Sequence, residues 1–257
     1  MTLSNLEAEL GRNLFESEGK SRLTPFGSYV FDIASDQISR FDRAIDSIQA
    51  YAHNNYGRVD IATVPSFATH YLPSLLSTFN SRFPQITLTI RDDSSRHINQ
   101  LVVNGEIDVG IASPIDEDAD TVRYQPILAD PLGIVCSQNH PLTKLNRPLL
   151  WEDLRDQTFI ANGTCHHIKH TDFQAIVDAA DIDVQNTTSI LAMVSANVGV
   201  TTLPGLAIPE ERKDVVFLTT AYENLHRSIG ILTPANRSLS PASSAFVAMV
   251  IESLAEN

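Results

Sequence analysis

The chain has 257 residues, 43% of them hydrophobic and 19% charged, with 18 Lys and Arg against 31 Asp and Glu and a formal net charge of −13. It can bury one large core or two small ones, which excludes a disordered chain. No stretch approaches the roughly eighteen uncharged apolar residues of a membrane span, the first residues have no apolar signal core, and two cysteines, Cys136 and Cys165, make no disulfide framework. The expected address is therefore cytoplasmic, with no membrane partner.

Leu3, Leu6, Leu10 and Leu14 recur at spacings of three and four, which predicts a short amphipathic helix with Gly11 as terminator. Leu14-Phe15 and Leu23 bracket the polar stretch Glu16 to Arg22, a pattern that suits a two-stranded wing turning at Gly19. Thr24 as N-cap and Pro25 at the first helical position then open a second helix. Along it Ala34, Ile38, Phe41, Ile45, Ile48 and Ala52 keep a heptad seam, while Asp32, Asp36, Arg40, Asp42, Arg43 and Asp46 are expected on wet faces. Such a stripe suits packing on the chain's own domain or pairing with a second copy. The polar run His53, Asn54, Asn55 and Gly57 separates this helix from the next domain and favours pairing.

From Arg58 the pattern alternates between strand and helix. Strands are predicted at 59–64, 86–90 and 107–112, with helices over 67–83 and around Ile98, Leu101 and Val102, the latter ended by Asn104-Gly105. Strands at 126–128 and 133–137 lead into a second unit with strands at 158–161, 184–187, 198–203, 215–219 and 228–232. Its helices are expected at 171–180 and 190–196, and a last helix at 241–254. This alternation implies an α/β fold with a mainly parallel sheet and ligands at the carboxyl ends of its strands.

The block LEAELGRNLFESEGKSRLTPFG, Leu6 to Gly27, resembles the end of the recognition helix, the wing and the start of the linker helix in LysR-type transcriptional regulators, where the pattern runs LE..LG..LF and then LT..G. Further likeness lies in LPSLLSTFNSRFPQITLTI, LVVNGEIDVGIA, PILADPLGIVCSQNHPL, WEDLRDQTFI and VSANVGVTTLP, so it covers nearly the whole chain. The resemblance implies a winged helix-turn-helix truncated at its N-terminus (1–24), a dimerising linker helix (25–57) and a two-lobed effector domain like the type 2 periplasmic binding proteins (58–257). Lobe I would hold about 58–129 and 233–257, and lobe II about 130–232. A homodimer through the linker, or a homotetramer through further lobe contacts, is expected.

DNA binding is expected to be weak or lost in the chain as it stands. Residues 1–57 carry five basic side chains, among them the wing residues Lys20 and Arg22, against eight acidic ones. Ser17 and Glu18 replace a basic and a neutral residue of the family pattern, which weakens the field offered to phosphate.

The fold directs attention to the loops. Strand ends and helix N-termini point unpaired N–H groups inward between two lobes, so a small carboxylate or other anion is the expected guest. Ser66 and Phe67 follow the first strand, Ser94 and Ser95 the second and Ser113 the third, while Gly163 and Thr164 follow a strand of the second lobe. With His166 these make the expected effector pocket, although serines at such turns also serve as plain N-caps. In CHHIKH, 165–170, a helix would place His166 and His170 on one face with Cys165 beside them, a spacing open to zinc or copper. The preferred role is hydrogen bonding to an anion through His166 or His167, with no metal and no cofactor assigned. No G-x-S-x-G, P-loop, HExxH or dinucleotide fingerprint appears, and the adjacent Asp92 and Asp93 point apart, so an enzyme is not expected. Two functions remain: a ligand-sensing DNA-binding regulator, and an effector-binding or oligomerisation module that holds no DNA.

Overall fold

A computed structural model describes residues 3–16, 22–52, 57–115 and 120–255. Lys20, Gly19 and His53 to Asn55 lie outside them, as does the side chain of Ala52.

Helix α1 (Leu3–Leu10) ends at Gly11, whose φ of 72° belongs to the left-handed region that glycine enters without strain. Leu14, predicted on its stripe, falls beyond the helix and is buried in the wing, because Glu7 Oε1 reaches back to accept from the Leu14 amide at 2.8 Å. Phe15 bridges Leu23 in antiparallel fashion. The cap of α2 (Pro25–Ala52) is as expected: Thr24 Oγ1 accepts from the Gly27 amide at 2.9 Å and donates to the Asn13 carbonyl at 2.9 Å. Gly27 is required by a close approach, since a Cβ there would sit 1.9 Å from the Leu14 carbonyl oxygen.

Along α2 the seam residues Ala34, Ile38, Phe41 and Ile48 are exposed and Ile45 is half-buried. Arg43 departs from expectation. It is half-buried near Asp60 and Asp108 of the following domain, where burial lowers the guanidinium pKa against the opposing pull of both carboxylates.

The domain from residue 57 is built on strands β1 (Gly57–Thr63), β2 (Ile86–Asp92), β3 (Val109–Ala112), β4 (Val122–Ser137), β5 (Phe159–Ala161), β6 (Ile182–Asp183), β7 (Val200–Pro204), β8 (Val215–Leu218) and β9 (His226–Pro234). The path β2-β1-β3-β9-β4-β7-β5-β6, with β8 also on β4, runs through two lobes. The strands predicted at 126–128 and 133–137 are one strand, β4. Its first part, as far as Pro131, pairs with β9, and its last part pairs with β7 and β8.

Because β4 and β9 run antiparallel to their neighbours, the sheet is mixed rather than mainly parallel; among the named strands, parallel pairing joins β1 with β2 and β3, and β5 with β6 and β7. Ser228 to Leu232, expected in lobe II, lie along the first half of β4, and Gly230 to Leu232 also pair with β3.

The predicted helix 67–83 is two, α3 (Pro65–His70) and α4 (Leu72–Arg82), since Pro73 has no amide to continue the ladder past Tyr71. Helices α5 (Ser95–Val103), α6 (Thr171–Asp178), α7 (Thr187–Ser195) and α8 (Pro241–Ala255) complete the layers. The strand predicted at 184–187 is displaced to Ile182–Asp183 because Asn186 caps α7, its Oδ1 accepting from the Ser189 amide at 3.0 Å. Ile61, Phe67, Phe79, Ile98 and Phe246 centre the core of lobe I. In lobe II, Ile134 and Cys136 face the layer of Trp151 and Phe173, while Val135 faces Ile190 and Val194, the period-two alternation of a strand covered on both sides.

Candidate functional site

After the carboxyl end of β1, α3 rests against the 3₁₀ turn Gly205–Ala207 of lobe II. Each predicted position has a definite setting. Ser66, near the start of α3, is buried and accepts a hydrogen bond from the Arg227 guanidinium. Phe67 is fully buried in the lobe I core, so Ser66 alone offers a polar group there. Ser94 is an exposed N-cap whose Oγ accepts from the His97 amide at 3.3 Å. Ser95 and Ser113 are brought together: the Ser113 amide donates to Ser95 Oγ at 3.3 Å. Asp93, expected to point away from Asp92, holds His97 Nδ1 at 2.5 Å.

In lobe II the turn Gly163–His167 is 3₁₀, and Asn162 caps it by accepting from the Thr164 amide at 2.8 Å. The Asn162 amide nitrogen donates to Thr201 Oγ1 at 2.8 Å and to the Thr202 carbonyl at 3.0 Å, which ties Gly163 and Thr164 to β7. His166 is exposed. His167 is half-buried, and burial, then Arg227, then His166 push its pKa down to about 4, so at neutral pH it is an uncharged imidazole that can both donate and accept.

The helical spacing expected for a metal is absent, because His170 stands outside the turn, at the N-cap of α6. Burial pushes the Cys165 thiol up to about 11, so it stays protonated. Among the described residues no three His, Cys, Asp or Glu side chains gather as a metal would need.

Arg227 and Asp130 are the centre that sequence reasoning missed. Arg227 opens β9 and Asp130 lies where β4 passes between lobes; Nε and one terminal nitrogen reach Asp130 Oδ2 at 3.1 and 2.8 Å. Asp130 is fully buried and its other oxygen accepts from the Leu206 amide of lobe II at 3.1 Å. Arg227 thus connects Ser66 of lobe I with the strand crossing, beside His167 of lobe II. A signal existed: ILADPLGIV and HRSIGIL each carry one charge inside an apolar strand, and charges so buried need partners. Hydroxyl and amide groups beside this ion pair can hydrogen-bond a small polar ligand.

The arrangement defines a class, the two-lobed α/β binding domain with a ligand cleft beside the strands that cross between lobes. Residues 52–255 match the LysR substrate binding domain. The chain belongs to the LysR family of transcriptional regulators. The transcriptional dual regulator GltC of Bacillus subtilis is 28% identical over 263 residues, a match that covers 97% of this chain and 85% of that protein. Among solved structures, full-length CbnR complexed with its target DNA superposes with a TM-score of 0.72 at 19% identity, over 97% of this chain and 87% of that one. The regulatory domain of Synechocystis CcmR in complex with 2-PG gives 0.69 at 22% identity, over 77% of this chain and 97% of that domain. No helix among the described residues is long and apolar enough to cross a membrane.

Proposed function

We propose that the chain is a cytoplasmic, non-enzymatic regulator that senses a small anion, a carboxylate or phosphate ester, between its lobes. The observation that carries this reading is the buried Arg227, bonded to Asp130 and Ser66 and beside His167. The effector residues are Ser66, Ser95 and Ser113 of lobe I with Gly163, Thr164, His166 and His167 of lobe II, and Ser94 at the rim. The complex of the similar CcmR domain with 2-PG supports an anionic guest.

The exposed residues Ala34, Ile38, Phe41 and Ile48, with Ile45, pair α2 with its copy in a homodimer, and further contacts between lobes make a tetramer. Lobe closure then changes how the paired helices present the N-terminal residues to DNA. Lys20 and the exposed Arg22 supply wing contacts to phosphate. The charge balance of 18 to 31 favours a second reading, a sensing module that holds no DNA by itself.

Native mass spectrometry of the purified chain tests the anion cleft: a retained anion lost on Ser66→Ala supports it, and a ligand indifferent to that change refutes it. A gel shift on the DNA beside its own gene separates the readings of DNA binding.

A further inference from the structure

Asn99 and Ser113 carry two buried polar atoms that find no partner among the described residues. Asn99 on α5 is 1% exposed and Ser113, just past β3, is 3% exposed. The Asn99 amide nitrogen donates to the Ser95 carbonyl at 2.7 Å and to the Ser113 carbonyl at 3.0 Å. Both acceptors are carbonyls, so the orientation of the amide is fixed and Oδ1 must be its other, accepting end. Oδ1 has no partner among the described residues, nor has Ser113 Oγ. The two residues meet where the loops after β2 and β3 converge, and Ser95 Oγ holds the Ser113 amide at that point. The neighbouring β1 is bonded to β3 and leads to Ser66, so the orphaned pair belongs to the same edge of the sheet as the proposed cleft.

The chemistry of these atoms restricts the guest. Asn99 Oδ1 only accepts, and an ionised carboxylate or phosphate only accepts, so a bare anion leaves Oδ1 unpaired. Ser113 Oγ can donate and accept. A ligand hydroxyl would satisfy both atoms at once, donating to Oδ1 while accepting from Ser113. An ammonium would donate to both. Sites built around a buried polar partner reject analogues that lack the matching group more strongly than apolar pockets reject a missing methylene.

Resting on the anion-binding cleft proposed above, we infer that Asn99 and Ser113 form a subsite for a hydrogen-bond donor, and that the effector is an organic acid with a hydroxyl or ammonium near its acidic group.

Isothermal titration with matched acids tests this: acetate against glycolate, succinate against malate and aspartate, and benzoate against 3-hydroxybenzoate. At least one donor-bearing acid is expected to bind tenfold or more tighter than its bare counterpart. Within the four-carbon set, malate and aspartate distinguish hydroxyl from ammonium. Ser113→Ala should reduce that preference below about threefold. It leaves the Asn99 tethers in place, whereas Asn99→Leu would remove both. Equal affinity within every set, or a preference that survives Ser113→Ala, overturns the subsite and leaves the anion cleft standing. Failure of all seven acids to bind overturns both.

Discussion

Replacing Arg227 with Met tests the crossing between lobes most directly. The substitution keeps side-chain length but leaves Asp130, fully buried, with the Leu206 amide in place of a full counter-charge. At the observed 2.8 Å the gross attraction is about 6 kcal/mol for an effective dielectric near 20, and desolvation of both groups offsets much of it. What the single substitution exposes is therefore the stranded carboxylate, a loss of about 3–5 kcal/mol. The double change Arg227→Met with Asp130→Asn removes the uncompensated charge and should recover more than half of that loss. Urea unfolding followed by tryptophan fluorescence measures all three variants, since Trp151, the chain's one tryptophan, is buried in the lobe II core. A loss below about 1 kcal/mol for Arg227→Met, or a double variant that simply sums the two single losses, would refute a buried, coupled pair.

Four further outcomes rest on individual contacts. His167, held neutral down to about pH 4, resists a proton that the unfolded chain takes near pH 6.5, so stability falls as pH drops from 6.5 to 4. That depression corresponds to about 3 kcal/mol, and His167→Gln should flatten that part of a pH-dependent melting curve. Gly27→Ala drives a methyl into the Leu14 carbonyl and should cost about 1–3 kcal/mol in the N-terminal unit, read as faster amide exchange at Leu14 and Gly27. Phe41→Asp, at a position 65% exposed, should change the stability of one protomer by less than about 0.5 kcal/mol yet shift sedimentation toward monomer; unchanged sedimentation would remove α2 from the interface. Asn162→Ala should cost about 1 kcal/mol through the lost cap and weaken anion binding, measured by melting and titration.

Much of the fold was readable because its signals are local. Thr24 and Pro25 announce the start of α2, and the hydroxyl and the imino ring have the expected use; the close approach that requires Gly27 shows only in the fold. The seam of α2 comes from period alone. Pairing between distant strands does not: whether β4 is one strand or two depends on β9, about a hundred residues away, and the direction of β9 decides which lobe owns Ser228 to Leu232. Local chemistry also misleads where two signals compete. The apolar Val184 suggested a strand over 184–187, but the Asn186 side chain accepts from the Ser189 amide in the first turn of α7 and wins.

The site divides in the same way. Ser66, Ser95 and Ser113 could be proposed from sequence because their positions are set by where strands end, a property of the backbone that residue order reveals. Arg227, Asp130 and Asn162 were missed because each matters through a partner far along the chain: 97 residues separate Arg227 from Asp130, and 39 separate Asn162 from Thr201. Asn99 was passed over although its partners Ser95 and Ser113 lie only 4 and 14 residues away. A charged or amide side chain inside an apolar segment can be recognised in one sequence, while its partner cannot. The same asymmetry applies to CHHIKH, where spacing suggested a metal only on the assumption of an α-helix. The Asn162 cap and the 3₁₀ turn send His166 and His167 into different environments and leave Cys165 in the core. A polar residue in apolar surroundings is thus the strongest pointer to function that this sequence offers, because burial without a partner is costly unless fold or ligand supplies one. Asp130 and Arg227 receive that partner from the fold; Asn99 Oδ1 and Ser113 Oγ receive none from the described residues, which is why they define the guest more narrowly than the serines alone.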